Sequence, residues 1–185
     1  IAYAHSRGVI HRDLKPANVM VGEYGETVVI DWGLAKVKGR RDVQLSQLEE
    51  GIKTVKLDTD AANSADRTRM GEVMGTPVYM PPEQARGDID KIDERSDVYA
   101  LGAILYQIIT GQKPFTAPTP EKIVEKVIKD PPTPIEDIES DAPKELVAIC
   151  ERAMLHNQDE RYPDAQALAE DIERFQSGAI VQAYE

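Results

Sequence analysis

Cysteine is almost missing from this chain. Cys150 is its sole representative among 185 residues. That excludes a disulfide framework and a Cys-rich zinc site, and it fits a reducing compartment. Basic charge is scarce too. Lys and Arg number 22 against 33 Asp and Glu, for a formal net charge of -11. A phosphate backbone demands a basic footprint, so nucleic acid is excluded as a main partner. Long apolar runs are lacking. VYALGAILYQIIT, Val98 to Thr110, is too short to cross a bilayer and is interrupted by Gln107. No signal peptide and no internal repeat are visible. The first residue is Ile1, within sequence that reads as helical, so the natural N-terminus is expected to lie upstream.

Hydrophobic residues make up 41% and charged residues 30%. That composition can bury a core and suits one domain. IAYAHSRG reads as the last turns of a helix closed by Gly8. HRDLKPAN reads as a loop, because Pro16 and Asn18 oppose regular structure. VMV and TVVI flank GEYGE and predict a β-hairpin. From Lys36 to about Met74 the pattern dissolves into polar, aperiodic sequence, and a loop of that length is as a rule functional or disordered. SDVYALGAILYQIITG then predicts a helix buried nearly all round, capped by Ser96 or Asp97 and ended by Gly111. TPEKIVEKVIKD, PKELVAICERAML and DAQALAEDIERF predict further helices, the first with Thr119 as N-cap and Pro120 at its first position. The fold class is mainly α with one small β-hairpin.

The chemistry-bearing residues sit early. A hairpin folds the chain back, so Asn18 and Asp31 come to the same end of it. Two oxygen ligands suit Mg²⁺, a hard cation that takes phosphate co-ligands. Asp13 adds a carboxylate that can orient a hydroxyl, and Lys15 a positive charge two residues on. Phosphoryl transfer asks mainly for such positioning and charge neutralisation.

HRDLKPAN resembles the catalytic loop of eukaryotic-type (Hanks-type) Ser/Thr protein kinases. DWG at Asp31–Gly33 is similar to their DFG, GTPVYMPPE at Gly75–Glu83 to their substrate loop and APE segment, and SDVYALG to their central buried helix. The motifs come in the family's order, over roughly Ile1 to Phe175, in a style similar to bacterial members. The resemblance implies a protein-kinase-like fold, C-terminal lobe only, over residues 1–177. Within it 31–83 would be a long activation segment, and 178–185 a tail or the start of a linker.

It also implies the roles. Asp13 would be the catalytic base, Lys15 would contact the transferring phosphoryl group, and Thr76 would hydrogen-bond near both. Asn18 and Asp31 would hold Mg²⁺, with ATP as phosphoryl donor and Met20 under its adenine. Pro77 to Met80 would line the pocket for the residue after the acceptor. His11, Trp32 and Gly33 would be structural, as would Asp97, the buried tie to the catalytic loop, and the ion pair Glu83 and Arg161. Trp32 stands where the family has Phe, Pro81 replaces a small residue, and HNQDER replaces a segment that often contains Pro. Arg12 would receive a phosphate added to the long segment, with Thr68 the first candidate and Ser64 the second.

The family's Gly-rich loop, strand Lys and helix Glu do not occur in these residues. The expectation is therefore a fragment of a Ser/Thr protein kinase that by itself is nearly inactive, acting on protein Ser/Thr hydroxyls and on itself. The rival reading is a non-catalytic, pseudokinase-like interaction module. A kinase domain of this kind is expected in the cytoplasm, with any membrane tether supplied by regions outside the chain.

Overall fold

The computed structural model describes residues 1–39 and 77–184. The expected Thr76, Thr68 and Ser64 lie outside the described residues, as does most of the 31–83 segment. The described part is mainly helical. Helix α1 (Ala2–Ser6) leads through Gly8, whose φ of +71° permits the turn, into the two-residue strand β1 (Val9–Ile10). The catalytic-loop sequence comes next, ending in a 3₁₀ turn at Pro16–Asn18. Strands β2 (Val19–Val21) and β3 (Thr27–Val29) form the expected antiparallel hairpin, with Val19 opposite Val29 and Val21 opposite Thr27.

Strand β4 (Lys36–Val37) then returns to pair antiparallel with β1, Val9 facing Val37. This second ladder closes the catalytic loop and the hairpin into one unit. The sequence did not announce it, since two-residue strands carry no readable alternation.

The helices build the rest. A 3₁₀ turn at Pro77–Tyr79 precedes the short α2 (Pro82–Arg86). Helix α3 (Glu94–Thr110) runs through the centre. Its N-cap is Asp93, whose carboxylate accepts from the Arg95 N–H, and not Ser96 or Asp97 as expected. Both of those are buried within the helix, where their side chains serve tertiary contacts instead. Gly111 ends α3 in the left-handed region, as anticipated. Helices α4 (Pro120–Lys129), α5 (Lys144–Ala153) and α6 (Ala165–Ser177) surround it.

Helix α3 contributes to both hydrophobic clusters. Tyr99, Ala103 and Tyr106 pack with Val78, Phe115 and Ile135, while Val98 packs with Ile149, Tyr162 and Leu168. It also meets α5 closely. A Cβ on Gly102 would lie 2.8 Å from the Ala153 Cβ and 2.8 Å from the Met154 Cγ, so glycine sets that crossing distance. Its exposed end carries Ile108, so α3 is not buried all round.

Residues from Gly178 on, read from the sequence as a tail or linker, fold back onto the domain. Val181 is fully buried in the second cluster. Among the described residues, no helix is long and apolar enough to cross a membrane.

Candidate active site

The site is built on one carboxylate that anchors the loop. Asp97 is buried on α3, where its Oδ2 accepts from the His11 N–H at 2.8 Å and its Oδ1 from the Arg12 N–H at 2.9 Å. Arg12 sits at φ +68°, a conformation uncommon outside glycine. Two charge-assisted bonds on consecutive N–H groups offset that strain and fix where the loop leaves β1.

His5 holds Asp97 in turn. Its Nε2 donates to Asp97 Oδ2 at 2.9 Å and its Nδ1 accepts from the Ala165 N–H at 3.2 Å, so one ring joins α1, α3 and the start of α6. Nothing in the local sequence marks it, because its partners lie 92 and 160 residues away.

His11 is fully buried. Its Nδ1 accepts from the Asp13 N–H at 3.2 Å, which leaves Nε2 to donate to the Ile30 carbonyl at 3.0 Å. Both ring nitrogens are engaged by the backbone, so the imidazole braces the loop against the hairpin end. Trp32 packs edge-on against it with ring centroids 4.6 Å apart. The indole N–H donates to the Val29 carbonyl at 3.0 Å, a bond that Phe at this position could not make. Trp32 is 40% exposed, so it is a half-covered brace and not a buried plug.

On this frame the polar residues converge. Lys15 Nζ lies 2.7 Å from Asp13 Oδ2. Asn18 Nδ2 donates to the Asp13 carbonyl at 2.8 Å and to Asp13 Oδ2 at 3.2 Å. The hairpin brings Asp31 alongside, since the N–H of Ile30 donates to the Asn18 carbonyl at 2.9 Å. Asp31 is exposed and takes a left-handed conformation, φ 62° and ψ 64°, before the 3₁₀ turn at Trp32–Leu34. Gly33 lies in that turn, where an added Cβ would come within 3.3 Å of Asp31 Oδ1. Met20 presents its side chain on the exposed hairpin face, 58% accessible.

The donor set fits Mg²⁺. With Asn18 Nδ2 spent on Asp13, Asn18 Oδ1 and the open Asp31 carboxylate are the oxygens left at the hairpin end. Among the described residues no group of three or more His, Cys, Asp or Glu could hold a metal. Mg²⁺ takes one or two protein oxygens and fills its octahedron with phosphate and water.

The family model for the protein kinase domain matches residues 1–172. The chain belongs to the protein kinase domain family. It is 35% identical to the serine/threonine-protein kinase PknD of Protochlamydia amoebophila over 96% of its length, covering 17% of that protein. It is 34% identical to the serine/threonine-protein kinase PknB of Mycolicibacterium smegmatis over 98% of its length, covering 25% of that protein. A similar match, 35% identity over 96% of the chain, is to the PknD kinase of Chlamydia trachomatis, of which it covers 18%. The chain thus spans a quarter or less of the length of these curated relatives.

The two residues expected to form an ion pair also meet. Glu83 and Arg161 form a buried bidentate pair, Nη1 to Oε1 at 2.8 Å and Nη2 to Oε2 at 2.9 Å. Ser96 Oγ donates to Glu83 Oε1, and the Arg161 Nε donates to the Leu155 carbonyl. The guanidinium also lies over the Tyr99 ring, 4.9 Å from its centroid. Burial pushes the Tyr99 phenol above its ordinary value; nearby Arg161 opposes that shift and Glu83 adds to it. Arg12 is buried, with its Nε donating to the Leu34 carbonyl. Tyr79, whose phenol is pushed up by burial, donates its hydroxyl to Gln107, and so ties the Pro77–Tyr79 turn to α3.

Proposed function

We propose that this chain supplies the catalytic half of a Ser/Thr protein kinase that moves the γ-phosphoryl group of ATP to protein Ser or Thr hydroxyls. The observation that carries the reading is the Asp13 carboxylate, held by Lys15 and Asn18 at the end of a loop that Asp97 anchors. Asp13 accepts the hydroxyl proton as the substrate oxygen attacks the γ-phosphorus. The bond from that phosphorus to the β–γ bridging oxygen breaks, and ADP leaves. Lys15, already beside Asp13, steadies the negative charge spread over the transferring group. Asn18 and Asp31 would hold Mg²⁺, which would neutralise phosphate charge. Met20 supplies apolar surface beneath the adenine, and Thr76 steadies Asp13 and Lys15.

The Arg12 side chain receives a phosphate placed on Thr68 or Ser64, added by the kinase to itself. The domain works in the cytoplasm. The 185 residues alone, without a Gly-rich loop, strand Lys and helix Glu, transfer phosphate at little or no rate. The intact Asp13, Lys15 and Asn18 contacts speak against a non-catalytic module.

Asp13→Asn tests the reading in the full-length protein. Asparagine keeps the shape but cannot accept the proton. The expected loss in kcat is at least about 10²-fold with an unchanged circular dichroism spectrum. Unaltered turnover would remove Asp13 as base.

A further inference from the structure

Gln84 lies on α2, outside every motif the family reading uses, yet it reaches the catalytic loop. Its Nε2 donates to the Arg12 carbonyl oxygen at 2.9 Å. That oxygen belongs to the peptide unit joining Arg12 to Asp13. The N–H of the same unit donates to His11 Nδ1 at 3.2 Å. The preceding peptide is fixed separately, by the Arg12 N–H on Asp97 Oδ1. The Arg12–Asp13 peptide plane is therefore gripped at both ends, its nitrogen side by His11 and its oxygen side by Gln84.

The grip matters because Arg12 is left-handed at φ +68°. A peptide leaving such a residue has no helix or strand ladder to hold its plane, so side chains must do so. Rotation about the Arg12 Cα–C bond, which turns this plane, would swing the Asp13 Cα, and with it the carboxylate that meets Lys15 and Asn18.

The far end of the grip is rigid. Gln84 is next to Glu83, which is clamped by Arg161 and Ser96. Two residues separate helix α2 from the Pro77–Tyr79 turn, part of the Pro77–Met80 stretch expected to line the pocket for the residue after the acceptor. A small cavity of about 20 Å³, room for one water, lies beside this contact and is lined by Arg12, Asp13, Tyr79, Gln84 and Asp97 among others. The Gln84 carboxamide is thus a short physical link between the acceptor-binding segment and the base.

We propose that Gln84 is a positioning residue that sets the Arg12–Asp13 peptide plane, and through it the Asp13 carboxylate, from the acceptor-binding segment. This rests on the kinase reading of the site. Gln84→Met keeps length and volume but removes the donor. Gln84→Glu keeps the shape and places a carboxylate against a carbonyl oxygen. In the full-length protein, kcat for a Ser/Thr peptide is expected to fall about tenfold to a hundredfold in both variants, with KM for ATP within about twofold of wild type.

Native-state hydrogen exchange supplies an arm that needs no turnover. The Asp13 amide should exchange at least about tenfold faster in both variants, while the Ile149 amide in the core stays at its wild-type rate. Unchanged kcat together with unchanged Asp13 exchange would overturn the proposal. So would a uniform acceleration of exchange across the core, or loss of folding in both variants, since either marks a role in stability alone. If the wild-type protein transferred no phosphate, the kinase reading would fall and the exchange arm would decide the role of Gln84 by itself.

Discussion

At the scale of single residues, the sequence shows the groups whose partners are near in the chain. Asp13, Lys15 and Asn18 lie within six positions of one another, and their side chains meet within one short loop. His5 and Gln84 escape notice because their contacts bridge 92 and 72 positions, and a His or Gln carries no local signature of such a partner. Arg161 is an intermediate case, found through a motif and explained only by packing. Its guanidinium is buried with Glu83, and it donates to the carbonyls of Leu155, Arg95 and His156 as well. Arg161→Met would leave the Glu83 carboxylate buried with, among the described residues, Ser96 alone to answer it. The expected cost is about 3–5 kcal/mol of unfolding free energy, read from urea titration. A loss below about 1 kcal/mol would mean that the pair contributes little.

At the scale of elements, periodicity located the long helices and the hairpin, and it failed at their junctions. β1 and β4 are too short to show alternation, and they pair only because the catalytic loop and hairpin between them return the chain. The sequence pointed to Ser96 or Asp97 as the cap of α3, and tertiary demand overrode it. Ser96 is taken by Glu83 and Asp97 by the catalytic loop, which leaves Asp93 to cap.

Burial pushes the Asp93 carboxyl up, but hydrogen bonds from Arg95, its charge, and Gln158 more than offset this. The result lies below the ordinary value of 3.8. A carboxyl depressed in the folded state stabilises the fold above its unfolded value and loses that contribution as pH falls through the folded one. Asp93→Asn retains the cap and removes the charge. It should cost about 0.5–1 kcal/mol at neutral pH, and the gap to wild type should close as the pH is taken well below 3.8. Denaturant titrations across that range check it. A gap that persists unchanged in acid would assign the loss to geometry and not to charge.

At the scale of the whole molecule, the sequence suggested that the domain stops where α6 does, because Gly178 ends the helical pattern and the last seven residues have no period. The fold continues for physical reasons that no pattern records. Asp171 on α6 is buried, and its carboxylate accepts from the N–H groups of Gln182 and Ala183 and from the Tyr162 hydroxyl. Arg152 donates to the Gln182 carbonyl from the other side. These bonds press Val181 into the space between α5 and α6 until it has no exposure, while Ile180 next to it stays 80% exposed. The last residues therefore close the second hydrophobic cluster. Ending the chain at Gly178 would expose that cluster and leave a buried carboxylate short of two donors. The expected loss is about 2–5 kcal/mol, or a fall in Tm of roughly 5–15 °C. A pair of single substitutions separates this from a generic effect of length. Val181→Asp should reproduce most of the loss, and Ile180→Asp should stay within about 0.5 kcal/mol of wild type. Equal effects at the two positions would show that the segment does not dock through Val181.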